Sequence, residues 1–327
     1  MLDIKETLSK FRGLKVLIIG DVMLDCYLHG RVDRISPEAP VPIVALSNKI
    51  YRPGGAANVA LNIAALGAKP LLFSTIGKDE AGDKLLSILS TLNISTKHLL
   101  CSTNRRTTVK TRVLAQNQQM LRFDEEDTFD LDKASTNKLL NKLTSVVEDG
   151  DIDVILFQDY NKGVLSNTII RKVLFAALKL DIPTVVDPKN ENFYAYKRAT
   201  LFKPNLKEVN DNLPFQSAAN LEDLKKAANY LESELNNAKT LITLSDKGIF
   251  YSDQAHQNIL PTIPRNIADV CGAGDSVISI AALGVALKLP LVDIAQLANL
   301  AGGQVCEKVG VVPVSVAQLE LDYLNLK

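Results

Sequence analysis

Histidine and cysteine are scarce in this sequence and too scattered to form a zinc site. The chain contains three histidines and four cysteines, and no two cysteines form a CxxC pair. No two histidines are spaced so that they share a helix face. Zinc sites in proteins draw on closely spaced ligands of these two types. We therefore expect no zinc site, and the cysteine usage suits a reducing compartment.

The chain also lacks net charge and long apolar runs. Lysine plus arginine and aspartate plus glutamate both number 37, so no overall field favours nucleic acid or an anionic membrane surface. A membrane-spanning helix needs about 18 apolar residues in a row, and no apolar run free of charge approaches that length. The N-terminal sequence MLDIKETLSKFRG is charged and unlike a signal peptide. These absences predict a cytoplasmic protein with neither a membrane nor a nucleic-acid partner.

Two common phosphate-binding motifs are missing as well. Neither GxGxxG nor GxxxxGK[ST] occurs, so the sequence predicts neither a Rossmann dinucleotide site nor a P-loop. Short apolar β-type runs instead alternate with helical segments, which predicts an α/β fold with a mostly parallel sheet covered on both faces. No linker interrupts the pattern, which predicts one domain over residues 1–327. The predicted strands are 15–20, 71–77, 153–159, 183–187, 199–205 and 239–245, with 248–252 as a hairpin partner, and the predicted helices are 79–92, 167–180 and 220–238.

Two segments depart from this alternation. Residues 28–52 contain three prolines and a short β-type run at 41–46, without helical periodicity. Residues 105–123 contain two β-type runs separated by a turn, which predicts a hairpin. We expect the two segments to pair into a small β lid over the ligand site, because closing lids exclude water from phosphoryl transfer.

The segment Asp269–Ser276, DVCGAGDS, is a glycine-rich loop leading into an apolar helix. The N–H groups at the start of a helix lack intrahelical partners and carry the positive end of its dipole. The amides of Gly272, Ala273 and Gly274 can therefore converge on an anion, with the Asp275 carboxylate beside it. That combination suits phosphoryl transfer, in which the amides stabilise the moving group and the carboxylate takes a proton. Alternatively, the glycines permit close packing and Asp275 caps the helix.

Other polar residues follow predicted strands, where open α/β sheets bind ligands. Asp21 and Asp25 come after the first strand, although either could simply cap a turn. Gly54 and Gly55 form a predicted turn before a helix closed by Gly67, and Asn58 in the first turn of that helix could reach a ligand hydroxyl. Further candidates follow later strands: Asp159, Asp187 with Lys189, Asn205 with Glu208, and Thr243 with Ser245.

Asn205 and Glu208 lie three residues apart in the sequence NLKE. If this stretch is helical, their side chains share a face. Such a pair suits a network of magnesium-bound water near phosphates. It is equally typical of a capping box with Asn205 as N-cap, and both interpretations can hold together.

Three motifs together resemble a known family. DVCGAGDS at 269–276, PGGAANVALNIAALGA at 53–68 and NLKE at 205–208 are similar to signatures of the ribokinase-like (PfkB) carbohydrate kinases. The resemblance covers essentially the whole chain and implies a three-layer sandwich with a β lid and an ATP-dependent sugar kinase activity. Within the family, GDVMLDCYLHG, RISPEAPVPIV, QNQQMLRFD and DYNKGVL resemble the kinases of D-glycero-β-D-manno-heptose 7-phosphate in ADP-heptose synthesis. No HxGH-type motif follows, so the resemblance is to a stand-alone kinase or a kinase half.

The resemblance also implies roles for individual residues. Asp275 would deprotonate the 1-hydroxyl of the sugar, and the Gly272–Gly274 amides would bind the γ-phosphate. The implied substrate-binding residues are Asp25, Gly54, Gly55, Asn58, Arg112 and Lys189, the last two for the substrate's phosphate. Asn205 and Glu208 would organise Mg²⁺ with ATP, Glu208 acting on the metal through water. The remaining implied ligand-binding residues are Thr243, Ser245, Gly248 and Asn299 for the nucleotide and Asp269 for a monovalent cation such as K⁺. The lid often builds a homodimer in this family.

One residue departs from the family pattern. Cys271 stands where members commonly have threonine or serine, and a thiol is a poorer hydrogen-bond partner. Its position near a helix N-terminus predicts a lowered thiol pKa and sensitivity to oxidation. The alternatives are a PfkB kinase of another sugar and a nucleotide-binding regulatory protein without catalysis. A dinucleotide-dependent dehydrogenase is disfavoured by the missing glycine fingerprint.

Overall fold

The computed structural model describes residues 2–116, 118–253 and 255–326. These residues form two sheets, of nine and four strands. The strand order is β13-β12-β11-β10-β9-β8-β1-β4-β5 in the large sheet and β3-β2-β6-β7 in the small one. The strands are β1 (Lys15–Gly20), β2 (Val22–Ile35), β3 (Pro42–Gly55), β4 (Lys69–Gly77), β5 (Leu99–Ser102), β6 (Thr108–Ala115), β7 (Gln118–Glu125), β8 (Val154–Gln158), β9 (Thr184–Asp187), β10 (Leu201–Phe202), β11 (Lys239–Thr243), β12 (Ile249–Ser252) and β13 (Gln257–Leu260).

The large sheet is mostly parallel and buried on both faces. All its pairings are parallel except those that join β11 to β12 and β12 to β13. Side chains of β1 alternate between two separate cores: Val16 and Ile18 pack on one side, and Leu17 and Ile19 on the other. A central strand buried on both faces needs such a continuous apolar run, which the sequence KVLIIG supplies.

Helices cover both faces and complete the three layers. One core contains residues of α1, α2, α3, α8, α9 and α10, and the other contains residues of α4, α5, α6 and α7. Helix α8 is buried almost all round, which explains its nearly unbroken apolar sequence after Ser276. The helices are α1 (Ile4–Lys10), α2 (Ala56–Ala65), α3 (Glu80–Thr91), α4 (Lys133–Glu148), α5 (Asn167–Lys179), α6 (Leu206–Asn212), α7 (Leu221–Leu235), α8 (Ala273–Ala286), α9 (Leu291–Cys306) and α10 (Val316–Leu324).

The small sheet is the β lid. Strands β2 and β3 form a long antiparallel hairpin, and β6 joins β2 in parallel while β7 closes the far edge. The predicted pairing of two β segments is therefore confirmed, but the boundaries of the first were wrong. The strands extend inward to Val22 and Gly55, beyond residues 28–52, and the added residues 22–27 and 53–55 are buried, so they lack the alternation that marks a half-buried strand. The turn residue Asn117 of the predicted hairpin lies outside the described residues.

The predicted α/β class and mostly parallel sheet are confirmed. Every predicted strand and helix is present with its ends moved by a few residues, and β12 is the antiparallel partner of β11. Gly54 and Gly55, however, form the end of β3 and not a separate turn, since Gly55 leads directly into α2 at φ +59°. In the part of the chain that the structure describes, no helix is both long and apolar enough to cross a membrane.

Candidate active site

The start of α8 forms an open turn at the carboxyl end of the large sheet. Gly272 is the N-cap at φ +81°, a left-handed conformation that favours glycine. The Ala273 N–H donates to the Val270 carbonyl at 3.3 Å, so this amide is engaged within the loop, contrary to the prediction that all three amides are available. Within residues 255–326, the Gly274 and Asp275 N–H groups have no acceptor. A Cβ on Gly274 would meet nothing within 4 Å, so the surface above it is open.

Three donors from separate parts of the chain converge on the Asp275 carboxylate. Asn58 Nδ2 donates to Oδ2 at 2.7 Å. The Tyr160 hydroxyl and Gln158 Nε2 both donate to Oδ1, at 2.9 and 3.2 Å. Asp275 is only 6% exposed, and these three hydrogen bonds hold its carboxylate in one orientation beside the start of α8. The predicted placing of Asp275 beside the helix N-terminus is therefore present, whereas Asn58, which was predicted to reach a ligand hydroxyl, donates to Asp275 instead.

The environment of Asp275 brings its titration close to neutrality. Burial raises the pKa of this carboxyl to about 7, and the nearby Asp187 and Asp25 also raise it, while hydrogen bonds from Asn58 and Tyr160 lower it. A carboxylate with a pKa near the working pH combines substantial ionisation with useful basicity. Asp275 can thus accept a proton from a hydroxyl placed against it.

The position of Asn58 is determined by α2 and its neighbours. The side chain is fully buried, and its backbone carbonyl and Oδ1 both accept from Asn62 Nδ2, at 3.0 and 3.3 Å. Asn62 Oδ1 in turn accepts from the Val314 N–H at 3.0 Å. Asn58 can therefore donate to Asp275 while its own acceptor is satisfied.

Asp25 was predicted to follow a strand of the large sheet, but it lies within β2 on the lid. Its Oδ1 accepts from Arg112 Nη1 at 2.5 Å, and the Arg112 guanidinium lies 5.3 Å from the centre of the Tyr27 ring. A Cβ on Gly54 would overlap Asp25 Oδ2, so glycine is required opposite this carboxylate. The inner face of the lid therefore presents a carboxylate and a guanidinium to the body of the protein.

A separate cleft of about 860 Å³ opens beside Gly274. Its wall includes Ala273 and Gly274 from the start of α8, the glycines Gly302 and Gly303 of α9, and apolar side chains of the segment before Asp269. Five of the six residues predicted to bind a nucleotide line it: Asn205, Thr243, Ser245, Gly248 and Asn299. The cleft thus joins the predicted nucleotide residues to the predicted anion cradle.

The sixth residue, Glu208, lies just behind this cleft. Both hydrogen bonds of a capping box are present, since Asn205 Oδ1 accepts from the Glu208 N–H at 2.8 Å and Glu208 Oε2 accepts from the Asn205 N–H at 2.8 Å. Glu208 Oε1 pairs with Lys189 Nζ. The capping interpretation is therefore confirmed. Lys189 also lies 5.7 Å from the centre of the Tyr160 ring, which connects this pair to Asp275.

Asp269 and Cys271 occupy the loop before α8. Asp269 accepts hydrogen bonds from the N–H groups of Cys271 and Gly310, at 3.0 and 2.9 Å. Burial opposes the ionisation of Asp269, but these bonds outweigh it and lower its pKa. For Cys271 the prediction of a lowered pKa was wrong. Burial and a hydrogen bond with Asp269 raise the pKa of the thiol to about 11, more than offsetting the attraction of Arg112.

Sequence reasoning missed Gln158 and Tyr160. Gln158 Nε2 also donates to Asp187 Oδ2 at 3.2 Å, and Asp187 forms an ion pair with the buried Lys203 at 3.0 Å. A polar residue ending the apolar strand VILFQ was the one available signal for Gln158. Asp21, by contrast, holds the loop that follows β8, because its carboxylate accepts hydrogen bonds from the N–H groups of Tyr160, Lys162 and Val164 at 2.9 to 3.1 Å.

The chain is similar in sequence to known carbohydrate kinases. The profile of the pfkB family carbohydrate kinases matches residues 14–317. The bifunctional protein HldE of Methylobacillus flagellatus is 40% identical over 308 residues, covering 93% of this chain and 62% of that protein. HldE of Trichlorobacter lovleyi is 40% identical over 319 residues, covering 97% of this chain and 64% of that protein. The chain spans just under two thirds of the length of these relatives.

The fold is similar to that of solved sugar kinases. Phosphofructokinase-2 from Escherichia coli, crystallised in complex with potassium, superposes with a TM-score of 0.78 at 21% identity. The match covers 96% of this chain and 99% of that one, and at this identity it concerns the fold alone. The family profile, by comparison, spans nearly the whole chain. The protein is therefore a member of the pfkB family of carbohydrate kinases, with a ribokinase-like fold.

Proposed function

We propose that the protein is an ATP-dependent kinase that phosphorylates the 1-hydroxyl of D-glycero-β-D-manno-heptose 7-phosphate, giving the 1,7-bisphosphate. The motifs on β2, β3, β7 and the loop after β8 support this substrate, because they resemble kinases of that sugar. The 40% identity to bifunctional HldE proteins supports it further. The proposal concerns phosphorylation alone, since those relatives extend beyond the matched region.

The position of Asp275 is the observation that carries the proposed chemistry. Its carboxylate lies between the inner face of the lid, which presents Asp25 and Arg112, and the cleft that begins at Gly274. An acceptor hydroxyl held against Asp275 would lose its proton to Oδ1 or Oδ2 as its oxygen bonds to the γ-phosphorus, while the bond from that phosphorus to the β,γ-bridging oxygen breaks and ADP leaves. The free Gly274 and Asp275 amides would stabilise the charge on the transferring phosphoryl group. Asp25 would hold sugar hydroxyls, while Asn58, which is fully buried with both amide atoms bonded within the protein, would orient Asp275. Gly54 leaves room for the Asp25 carboxylate in this position.

The cleft fits a nucleoside triphosphate with Mg²⁺. Its lining combines glycine and apolar residues with the polar side chains of Asn205, Thr243, Ser245 and Asn299. Magnesium prefers oxygen ligands and is often bound by one or two carboxylates, water and the phosphates themselves. Asp246 lines the cleft and Glu208 lies just behind it, and we propose that Glu208 acts on Mg²⁺ through water. When bound, Mg²⁺ neutralises charge on the phosphates.

Two further features belong to the proposal. The loop that Asp269 holds through the N–H groups of Cys271 and Gly310 would accept a monovalent cation such as K⁺. The outer face of the lid exposes Leu121 and Phe123, at 57% and 44%, which suits the packing of a second copy into a homodimer. A cytoplasmic location fits an enzyme that consumes ATP.

A panel of acceptors tests the substrate. ADP release from Mg-ATP would be measured with D-glycero-β-D-manno-heptose 7-phosphate, fructose 6-phosphate, ribose and adenosine, and the product would be examined by phosphorus NMR. The proposal predicts turnover with the heptose phosphate and a new anomeric phosphate signal. Turnover with only another acceptor would refute the heptose assignment and leave the kinase family intact. No turnover with any acceptor, while ATP still binds, would favour a regulatory protein without catalysis.

A further inference from the structure

The inner face of the lid is rich in cations, and nearly all of them are paired. Arg112 and Arg122 are cross-strand neighbours on β6 and β7. Each has a carboxylate partner, Asp25 for Arg112 at 2.5 Å and Asp124 for Arg122 at 2.6 Å. The other cations around Tyr160 and the strand ends are also paired: Lys162 with Glu126, Lys189 with Glu208 and Lys203 with Asp187.

Lys110 is the exception on this face. It lies on β6 opposite Asp124, two residues before Arg112, and its side chain is half-buried. In the described ranges of the chain, no carboxylate oxygen lies within 4.0 Å of Lys110 Nζ, and the ammonium has no hydrogen-bond acceptor. Arg52, on the same face, also lacks a carboxylate, but it donates to the Val311 carbonyl.

The surroundings of Lys110 disfavour its charge. Burial lowers the pKa of its ammonium, and repulsion by Arg122 and Lys162 adds to this, while Asp124 and Asp25 only partly compensate. A half-buried ammonium without a partner is costly, and an incoming anion would remove that cost. This is the environment in which a lysine binds a phosphate as a point charge.

The location of Lys110 relates it to the acceptor side of the reaction. Its Nζ lies 5.4 Å from the centre of the Tyr160 ring, and the hydroxyl of that ring bonds Asp275 Oδ1 at 2.9 Å. Lys110 and the Asp275 carboxylate are thus separated by about one aromatic ring. A sugar phosphate carries its phosphate and its reacting hydroxyl at opposite ends of the carbon chain. The nucleotide cleft lies beyond Gly274, and Lys110 is not part of its wall.

We propose that Lys110 is the specificity residue of this kinase, whose ammonium binds the phosphomonoester that the acceptor sugar already carries. The inference rests on the proposed function, because it requires a phosphorylated acceptor. Arg112 and Lys189 would assist from either side, but each already has a carboxylate partner. Lys110 therefore discriminates a phosphorylated sugar from the same sugar without phosphate.

The test compares paired acceptors in Lys110→Met, Lys110→Gln and Lys110→Arg. For each protein, kcat/KM would be measured with heptose 7-phosphate and with the unphosphorylated heptose, and KM would be measured for ATP. Losing one charge-assisted contact predicts a drop of about 10- to 100-fold in the preference for the phosphorylated acceptor in Lys110→Met and Lys110→Gln. Lys110→Arg should retain much of the preference, and the KM for ATP should stay within about twofold in all three variants.

Lys226→Met is the matched control. Lys226 lies over the Phe215 ring at 4.4 Å on the exposed side of α7, so the change removes a similar cation from an aromatic face far from the site. An unchanged phosphate preference in both neutral Lys110 variants would overturn the inference, as would a rise confined to the KM for ATP. If wild-type protein uses fructose 6-phosphate and not the heptose, the proposed function fails, and the same comparison with fructose and its 6-phosphate still decides the role of Lys110.

Discussion

The Tyr160 hydroxyl donates to Oδ1 of Asp275 at 2.9 Å, joining the loop after β8 to the start of α8. Burial and the neighbouring Asp275 raise the pKa of the phenol well above its ordinary value, so Tyr160 remains a donor. The ammonium groups of Lys110 and Lys189 lie 5.4 and 5.7 Å from the centre of its ring. One side chain therefore contacts the proposed base and both flanking cations.

Tyr160→Phe should move the pH dependence of the reaction. The phenol stabilises ionised Asp275, so its loss raises the pKa of that carboxyl above about 7 and leaves less base at neutral pH. We expect roughly tenfold lower kcat/KM at pH 7, with recovery at higher pH. Tyr196→Phe is the control, because Tyr196 makes the same type of bond to Asp159 at 2.6 Å, away from Asp275. A pH profile that shifts equally in both variants would argue against a specific effect on Asp275.

Asp275→Asn should stabilise the protein above neutral pH. The folded-state pKa of about 7 exceeds the ordinary value of 3.8, so the favourable contribution of the protonated carboxyl is present below about pH 4 and lost as pH rises through 7. Asparagine carries no charge and escapes this loss. The Tm of the variant should match that of the wild type near pH 4, exceed it at pH 8 and show a constant difference at higher pH. A variant that is less stable than wild type at pH 8 would contradict the assigned environment.

Gly274→Ala should separate stability from activity. No protein atom lies within 4 Å of the added Cβ, and alanine is preferred to glycine in a helix by about 0.5–1 kcal/mol. The melting temperature should therefore stay the same or rise. The methyl group would nevertheless occupy the surface where the phosphoryl group is proposed to bind, so turnover should fall at least about tenfold. Full activity with unchanged KM for ATP would exclude this surface as the anion site.

Cys271 should react slowly with alkylating reagents. Its raised pKa, about 11, leaves almost no thiolate at neutral pH. Mass spectrometry after brief iodoacetamide treatment should find Cys101, which is exposed, labelled before Cys271. Labelling of Cys271 faster than a free cysteine would show that the helix N-terminus lowers the pKa of its thiol and would contradict the raised value.

Much of the site could be predicted from the sequence because several of its residues are positioned by neighbours that are close in the chain. The turn at Gly272, the carboxylate of Asp275 and the capping pair Asn205 and Glu208 each lie within a few residues of the element that positions them. Gln158 and Tyr160 were missed because they meet Asp275 across 117 and 115 positions of the chain, a separation that no local pattern reports.

The lid was predicted less accurately for a related reason. The inner ends of β2 and β3, residues 22–27 and 53–55, are buried, so the alternation that marks a half-buried strand is absent there and these residues were not assigned to the lid. Which side chains face inward depends on the pairing register, and that register placed Asp25 beside Arg112 and left Lys110 without a partner. The sequence therefore indicated the two lid segments but not which of their side chains face the body of the protein.

Turnover by Asp275→Asn measures whether this carboxylate is the base of the reaction. ADP release with heptose 7-phosphate and ATP binding by calorimetry would be measured on the variant and the wild type at the same pH. General-base catalysis is worth about 10²–10⁴-fold, so we expect at least that loss in turnover, with ATP affinity retained. An Asp275→Asn enzyme that keeps most of its activity would contradict the role of this carboxylate as the base.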